Sequence, residues 1–234
     1  MNTNMEWMLA AVTSLACAAY TVADFRRRPK AQQAMMLDLV CRGLAAIGMC
    51  VFVYRVAVSY QRQPSLALLL MLIGELLTLA LVLTAKRADS RDWHWKSVLP
   101  TVAGTFYFLL VSFDATPNAI APAVLTDTLQ IIAIIWQIAA KIALGRAFGL
   151  LPANRGLVTS GLYRWLRNPI YAGYVANWAG FILAYASLYN LGVLVGLVIL
   201  LVIRIQREEL TLASNKAYAQ YREQTRFRLV PGMW

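Results

Sequence analysis

The chain has 234 residues, of which 60% are hydrophobic and 14% are charged, and its formal net charge is +11. Soluble domains usually carry about 25% charged residues, so this composition excludes an ordinary soluble enzyme and predicts a membrane protein. The positive charge does not indicate a nucleic-acid-binding protein, because the basic residues fall in clusters between long apolar runs.

Long apolar runs along the chain predict the transmembrane helices. A helix needs roughly 20 mostly apolar residues to cross a bilayer. Suitable runs cover residues 6–24, 35–57, 66–85, 97–113, 120–143, 170–187 and 190–205. Only "SLYN" separates the last two, which we expect to form a tight hairpin of short helices. The predicted fold class is all-α, a polytopic transmembrane helical bundle with about seven spans.

The distribution of Lys and Arg predicts the orientation. These residues cluster in the connections after the first, third, fifth and seventh runs, whereas the opposite connections contain only Arg62. Cytoplasmic loops carry such an excess, so the N-terminus is predicted outside and the C-terminus in the cytoplasm. The charges follow the first run, as expected for an uncleaved anchor. We expect a multi-pass protein of a bacterial inner (cytoplasmic) membrane.

The polar residues divide the chain into two predicted regions. Residues 1–143 would form five bland spans, and residues 144–234 hold most of the chemistry. Glu75 lies near the middle of the third run, where it would contact substrate, carry a proton or make a buried structural contact. No metal site is predicted, since the cysteines lie inside apolar runs and there is a single histidine.

The stretch "SGLYRWLRNPIYAGY" is the most polar part of the rear region. Asn is a favoured N-cap residue and Pro is favoured at the first helical position, so Asn168 and Pro169 predict a helix start. Arg164 and Arg167 precede that start. A basic helix start either binds an anionic group such as a carboxylate or phosphate, or meets lipid headgroups at the interface.

Two further segments carry polar side chains. In "RIQREEL", Arg204 and Glu208 are spaced for a pair on one helix face, whereas Glu209 has no basic residue three or four positions away. Glu209 is therefore a candidate ligand for hydroxyl groups or a cation. The segment "KAYAQYREQ" is typical of a short amphipathic helix on a membrane surface.

The order of these motifs resembles a known signature. "LVTSGLYRWLRNPIYAGY", an apolar hairpin, "REEL", "YAQYR" and a closing Arg-to-Pro segment resemble the C-terminal part of integral-membrane methyltransferases, the family of isoprenylcysteine carboxyl methyltransferases and phospholipid N-methyltransferases. The resemblance covers about Leu144 to Pro231. It implies S-adenosylmethionine as cofactor and methyl transfer to a lipophilic, membrane-embedded acceptor at the cytoplasmic face. That acceptor would be a small molecule or a lipid-modified group, such as an isoprenylcysteine-type carboxylate or a lipid amine.

The resemblance also implies roles for individual residues. It assigns cofactor binding to Val158, Gly161, Tyr163, Arg167, Asn168, Pro169, Tyr171, Gly173, Glu208, Glu209 and Tyr221, and catalytic roles to Arg167, Glu208 and Arg226. Asn168 stands where the isoprenylcysteine enzymes usually have His, and Leu162 stands where many have Pro. These departures weaken the expectation of an isoprenylcysteine acceptor and leave cofactor binding intact.

Other functions compete with this interpretation. Membrane sterol or steroid reductases share an "RxPxY" ending and bind NADPH, although the adjacent glutamates would repel its phosphates. A transporter or scaffold would explain Glu75 and Asp127 within the spans, but transporters place their chemistry near the midplane. The residues leave the acceptor atom open among carboxyl, amine, hydroxyl and thiol. An amine would need a base, for which Glu208, Glu209 and Glu75 are candidates.

Overall fold

Helices account for most of the protein. The computed structural model describes residues 29–62, 64, 66–86, 90–91, 94–105, 119–149, 153–213 and 215–232. Its helices are α1 (Lys30–Arg62), α2 (Leu66–Thr84), α3 (Trp95–Thr105), α4 (Ala123–Leu144), α5 (Pro169–Ala184), α6 (Leu188–Leu212) and α7 (Lys216–Gln224). Strand β1 (Ser90–Arg91) pairs antiparallel with β2 (Ala153–Asn154). Residues 1–47 and 48–234 form separate compact units, and every contact described below lies within the second.

The predicted all-α membrane bundle is confirmed. Helical stretches long and apolar enough to cross a membrane are Arg42–Arg62, Leu66–Thr84, Ala123–Ala147 and Leu188–Leu212. Large apolar side chains remain exposed on these helices, such as Val124 at 79% and Leu188 at 87%, as expected for surfaces that face lipid. The predicted span 6–24 and the later part of span 97–113 lie outside the described residues. The seven-span count and the orientation stay predictions.

The predicted hairpin between the last two spans is confirmed, but its helices are unequal. Helix α5 has 16 residues and α6 has 25. Ser187 caps α6 by accepting a hydrogen bond from the Asn190 backbone N–H at 3.0 Å. The prediction that α6 ends at residue 205 is wrong, because the polar residues of "RIQREEL" have partners on the bundle and the helix continues to Leu212.

Close packing of α5 against α4 fixes the start of α5. A Cβ atom added to Gly173 would lie 2.5 Å from Cγ of Gln137, so only glycine allows this approach. The Trp136 indole donates a hydrogen bond to the Pro169 carbonyl at 2.8 Å, and the Gln137 amide donates to the Gly173 carbonyl at 3.0 Å. Small residues and interhelical hydrogen bonds hold helices together in lipid. Helix α4 therefore positions the residues at the beginning of α5.

The connections that carry the basic clusters lie together at one end of the bundle. Arg146, after α4, donates a hydrogen bond from Nε to the carbonyl of Thr84 at the end of α2, at 3.1 Å. Arg207, near the end of α6, donates from Nε to Oγ of Ser97 at the beginning of α3, at 3.2 Å. We call this part of the bundle the loop end. Its position is the one that the alternation of Lys and Arg predicts for the connections after the third, fifth and seventh runs.

Candidate functional site

Residues 160–168, the polar loop, lead into α5 at the loop end. Gly161 has a φ of +61°, a left-handed conformation that glycine adopts without strain. Tyr163 and Leu166 are buried. Asn168 occupies the N-cap position and Pro169 is the first helical residue, as predicted. The Asn168 side chain makes no capping hydrogen bond, however, so its amide is not used to end the helix.

The C-terminal segment covers the polar loop. Helix α7 confirms the predicted amphipathic helix, and its residue Tyr221 is buried. The Tyr221 hydroxyl donates a hydrogen bond to the Tyr163 carbonyl at 2.7 Å. The backbone N–H groups of Arg167 and Asn168 donate to carbonyls of residues 225–232, which we call the tail, at 2.9 and 3.0 Å. The tyrosine face of α7 thus packs on the polar loop.

Glu209 joins the polar loop to the tail. The Arg228 guanidinium donates from Nε to both carboxylate oxygens at 3.1 Å and from Nη2 to Oε2 at 2.9 Å. Nη1 of Arg167 lies 3.1 Å from Oε1, and the Arg167 and Glu209 side chains are only 8% and 9% exposed. Hydrogen bonding to Glu209 raises the pKa of Arg228. We call Arg167, Glu209 and Arg228 the Glu209 cluster.

Glu208 has partners on its own helix and on α5. Nε of Arg204 donates a hydrogen bond to its Oε1 at 3.1 Å, which confirms the predicted pair four residues apart. The Tyr171 hydroxyl donates to the same oxygen at 2.6 Å. The Arg204 guanidinium also lies 5.2 Å from the centre of the Tyr171 ring. The two adjacent glutamates therefore belong to separate networks.

A cavity of about 220 Å³ extends from the loop end into the bundle. Arg167, Asn168 and Glu209 line it at the loop end, and Glu75 and Asn177 also belong to its wall. Glu75 is in the middle of the 19-residue helix α2, on the order of 14 Å from either end at 1.5 Å per residue. The part of the wall around Glu75 is called the deep end.

Most of the predicted site residues share this cavity. Its wall contains Val158, Tyr163, Arg167, Asn168, Tyr171, Glu208, Glu209 and Tyr221. The wall does not contain Gly161, Pro169, Gly173 or Arg226. Gly161 and Pro169 shape the backbone, and Gly173 faces α4. The Arg226 side chain is exposed, and its carbonyl accepts a hydrogen bond from Nη2 of Arg167 at 3.3 Å. Its catalytic role stays a prediction.

Two buried hydrogen-bond donors in the wall at the loop end lack partners. They are Nε of Arg167 and Nδ2 of Asn168, and neither finds an acceptor among the residues that the structure describes. The great majority of buried polar atoms in proteins are hydrogen-bonded, so each exception requires an explanation. A ligand with oxygen or nitrogen acceptors in the cavity would satisfy both donors.

The tyrosines of this region are neutral at physiological pH. Burial is the main cause that raises the pKa of Tyr218 to about 12. Burial likewise raises the pKa values of Tyr163 and Tyr221 above their usual range. All three rings line the cavity. They therefore provide aromatic surface and hydroxyl groups, and they do not act as bases.

Sequence reasoning missed several residues of the site. Arg228 had no assigned role, because its partner Glu209 is 19 residues earlier and no local spacing connects them. Asn177 on α5 and Arg155 before the polar loop also line the cavity, and Arg155 is 8% exposed. A single Asn or Arg gives no periodic signal that distinguishes a cavity wall from a lipid headgroup contact.

Comparison with known families supports the resemblance found in the motifs. Residues 120–220 match the model of the phospholipid methyltransferase family. The predicted relation to integral-membrane methyltransferases is thereby confirmed over this region, which begins ahead of Leu144 and includes α4. A search with the whole sequence matched no curated protein. The family match favours an enzyme over a transporter or scaffold, and methyl transfer over steroid reduction.

Proposed function

We propose that the protein transfers a methyl group from S-adenosylmethionine to a lipophilic acceptor at the cytoplasmic face of a bacterial inner membrane. The observation that supports this proposal is the pair of unpartnered buried donors, Arg167 Nε and Asn168 Nδ2. Both belong to the region that matches a membrane methyltransferase family and to the wall of a cavity.

The residues at the loop end fit the chemistry of this donor. Its carboxylate and ribose oxygens would accept hydrogen bonds from Arg167 and Asn168. Glu208 offers a carboxylate to an ammonium or hydroxyl group, and Tyr163 and Tyr221 offer aromatic surface to the adenine ring. When bound, the donor supplies a methyl group whose bond to sulfur breaks as the bond to the acceptor forms.

The protein then contributes alignment and exclusion of water. A displacement of this kind needs no protein nucleophile, so positioning of the two substrates is the main source of acceleration. The cavity extends from the polar loop to the middle of α2. A water-soluble donor and an apolar acceptor would therefore meet within one cavity, each entering from a different side.

The size of the cavity predicts movement of the tail. Ligand sites usually have volumes of about 300 to 1,000 Å³, and this cavity has about 220 Å³. The tail is joined to the polar loop by hydrogen bonds and to Glu209 by Arg228. We expect the tail to shift outward when the donor binds.

Calorimetric titration of the detergent-purified protein tests the proposal. S-adenosylmethionine, its demethylated product and NADPH are titrated in parallel. Saturable binding of the first two compounds, without binding of NADPH, is the expected result. Binding of NADPH in their place, or of none of the three, contradicts the proposal.

A matched pair of asparagine variants localises the donor. Asn168→Asp replaces the unpartnered donor with a carboxylate and should weaken donor binding at least about 30-fold, roughly 2 kcal/mol. Asn215→Asp is the control, because Asn215 caps α7 by accepting from the Ala217 N–H at 2.9 Å and Asp caps equally well. Equal affinities in the two variants would remove Asn168 from the site.

The proposed face is tested by cysteine labelling in intact cells. Ala119 precedes α4, and Asn154 precedes the polar loop. Ala119→Cys should react with an impermeant maleimide added outside, and Asn154→Cys only after permeabilisation. Labelling of both from one side contradicts the orientation.

A further inference from the structure

The deep end contains hydrogen-bond acceptors whose partners are missing. Oδ1 of Asn177 is buried and has no partner among the described residues. Within the same described ranges, the Glu75 carboxylate makes neither a hydrogen bond nor a salt bridge, although it interacts electrostatically with Lys141. Both side chains line the cavity. Polar groups inside a membrane bundle are costly and usually have a partner.

The polar neighbours of these acceptors do not supply donors. The Thr78 hydroxyl donates its proton to the Gly74 carbonyl of its own helix at 2.7 Å. The Gln137 amide donates to the Gly173 carbonyl at 3.0 Å. Nζ of Lys141 lies 5.8 Å from the centre of the Tyr174 ring, so its charge is shared with an aromatic face. A ligand at the deep end is therefore required to donate hydrogen bonds.

The two ends of the cavity consequently demand opposite chemistry. At the loop end the unpartnered atoms are donors, Arg167 Nε and Asn168 Nδ2, whereas at the deep end the unpartnered atom is the acceptor Asn177 Oδ1 beside the Glu75 carboxylate. A carboxylate ligand has a pKa near 4, so it is ionised at neutral pH and has no proton to donate. An amine has N–H groups and carries positive charge as an ammonium.

We propose that Glu75 and Asn177 bind the polar head of the methyl acceptor and select an amine-bearing lipid over a carboxylate-bearing one. This inference rests on the proposed function. It assigns acceptor selection to α2, a helix outside the region that matches the methyltransferase family.

Binding of two brominated probes to the detergent-purified chain tests the inference. The probes are a dibromo-octadecyl amine and the carboxylate of equal chain length, and bromine quenching of tryptophan fluorescence reports binding, since Trp178 lines the cavity. The wild type should bind the amine at least about tenfold more tightly, equivalent to about 1.4 kcal/mol. Equal affinities for the two probes would overturn the inference.

Glu75→Gln and a matched control identify the residue responsible. Glu75→Gln keeps the shape and removes the charge, so the preference for the amine should fall below about threefold, equivalent to about 0.65 kcal/mol. Asp127→Asn makes the same change of charge on an exposed residue of α4 and should leave the preference intact. An undiminished preference in Glu75→Gln contradicts the assignment.

A second variant and a parallel titration separate the possible failures. Asn177→Asp adds negative charge at the deep end and should increase the preference for the amine; a preference that does not rise argues against the site even if Glu75→Gln is misfolded. Titration of the same samples with S-adenosylmethionine tests the proposed function. Absence of donor binding in the wild type overturns that function, whereas loss of amine preference alone overturns only the inference.

Discussion

The two ends of the cavity differ in how their carboxylates are partnered. At the loop end, Glu209 pairs with Arg167 and Arg228, and Glu208 accepts hydrogen bonds from Tyr171 and Arg204. At the deep end, the Glu75 carboxylate has no hydrogen bond or salt bridge to any described residue. The same type of side chain is thus held in place at one end and left accessible to a ligand at the other.

The difference follows from what surrounds each end. The loop end is built partly from the polar loop and the tail, irregular segments whose Arg and Tyr side chains reach the glutamates. The deep end lies among helices whose backbone groups bond within each helix, and its other wall residues include Met49, Phe52 and Trp178. Partners for a carboxylate are scarce there, so Glu75 is the residue more sensitive to a ligand.

The largest effect is expected from breaking the Glu209 cluster. Glu209→Gln leaves two buried guanidinium groups facing a neutral amide, and loss of one partner of a buried ion pair costs about 3–5 kcal/mol. We expect a marked fall in the unfolding temperature in detergent, and donor binding at least about 100-fold weaker, roughly 2.7 kcal/mol. Thermal unfolding and calorimetric titration measure the two effects.

Two further variants control this prediction. Glu223→Gln is the same substitution on the exposed face of α7 and should change neither property. Arg228→Met removes only one of the two cations and should be milder than Glu209→Gln. If Glu209→Gln behaves like Glu223→Gln, the loop end is no more dependent on its carboxylate than the protein surface.

A smaller effect is expected from loosening Glu208. Tyr171→Phe removes the 2.6 Å hydrogen bond to the Glu208 carboxylate, and hydrogen bonds to charged groups contribute roughly 1.5–3 kcal/mol. The free energy of unfolding should fall by that amount, and Tyr54→Phe, at a 70% exposed tyrosine, is the control. Equal stability in the two variants would show that Glu208 is held by Arg204 alone.

The smallest effect is expected where the C-terminal segment meets the polar loop. Tyr221→Phe removes the 2.7 Å hydrogen bond to the Tyr163 carbonyl, a neutral bond that contributes roughly 0.5–1.5 kcal/mol. The tail should open more often, and limited proteolysis within residues 225–232 should become up to about tenfold faster. An unchanged cleavage rate would mean that Arg228 and the backbone hydrogen bonds hold the tail by themselves.

Local patterns predicted the parts of the site whose chemistry is local. The N-cap position of Asn168, the first helical residue Pro169 and the pair Arg204–Glu208 depend on neighbours in the chain, and the structure has all three. The apolar runs predicted α2 and α4 within a few residues. Predictions were poorer where a terminus depended on tertiary partners, as at the end of α6.

Other roles were not predictable because the relevant partner is distant in sequence. Gly173 carries a predicted ligand-binding role, but its carbonyl and its close approach serve α4, which begins 50 residues earlier and shows no motif of its own. Arg226 and Arg228 are equivalent in local pattern, and only the fold of the tail directs Arg228 to Glu209.

Composition and periodicity by themselves determined that this protein is a helical membrane bundle, because burying about 20 apolar residues per helix is a property of each segment. The order of motifs determined its resemblance to membrane methyltransferases. The tertiary structure alone decided which polar atoms are satisfied. It gave Glu209 two arginines, left donors at the loop end and acceptors at the deep end without partners, and placed both ends in one cavity. Hydrogen bonding depends on atoms within about 3 Å of one another, and residues far apart in sequence reach that distance only through the fold.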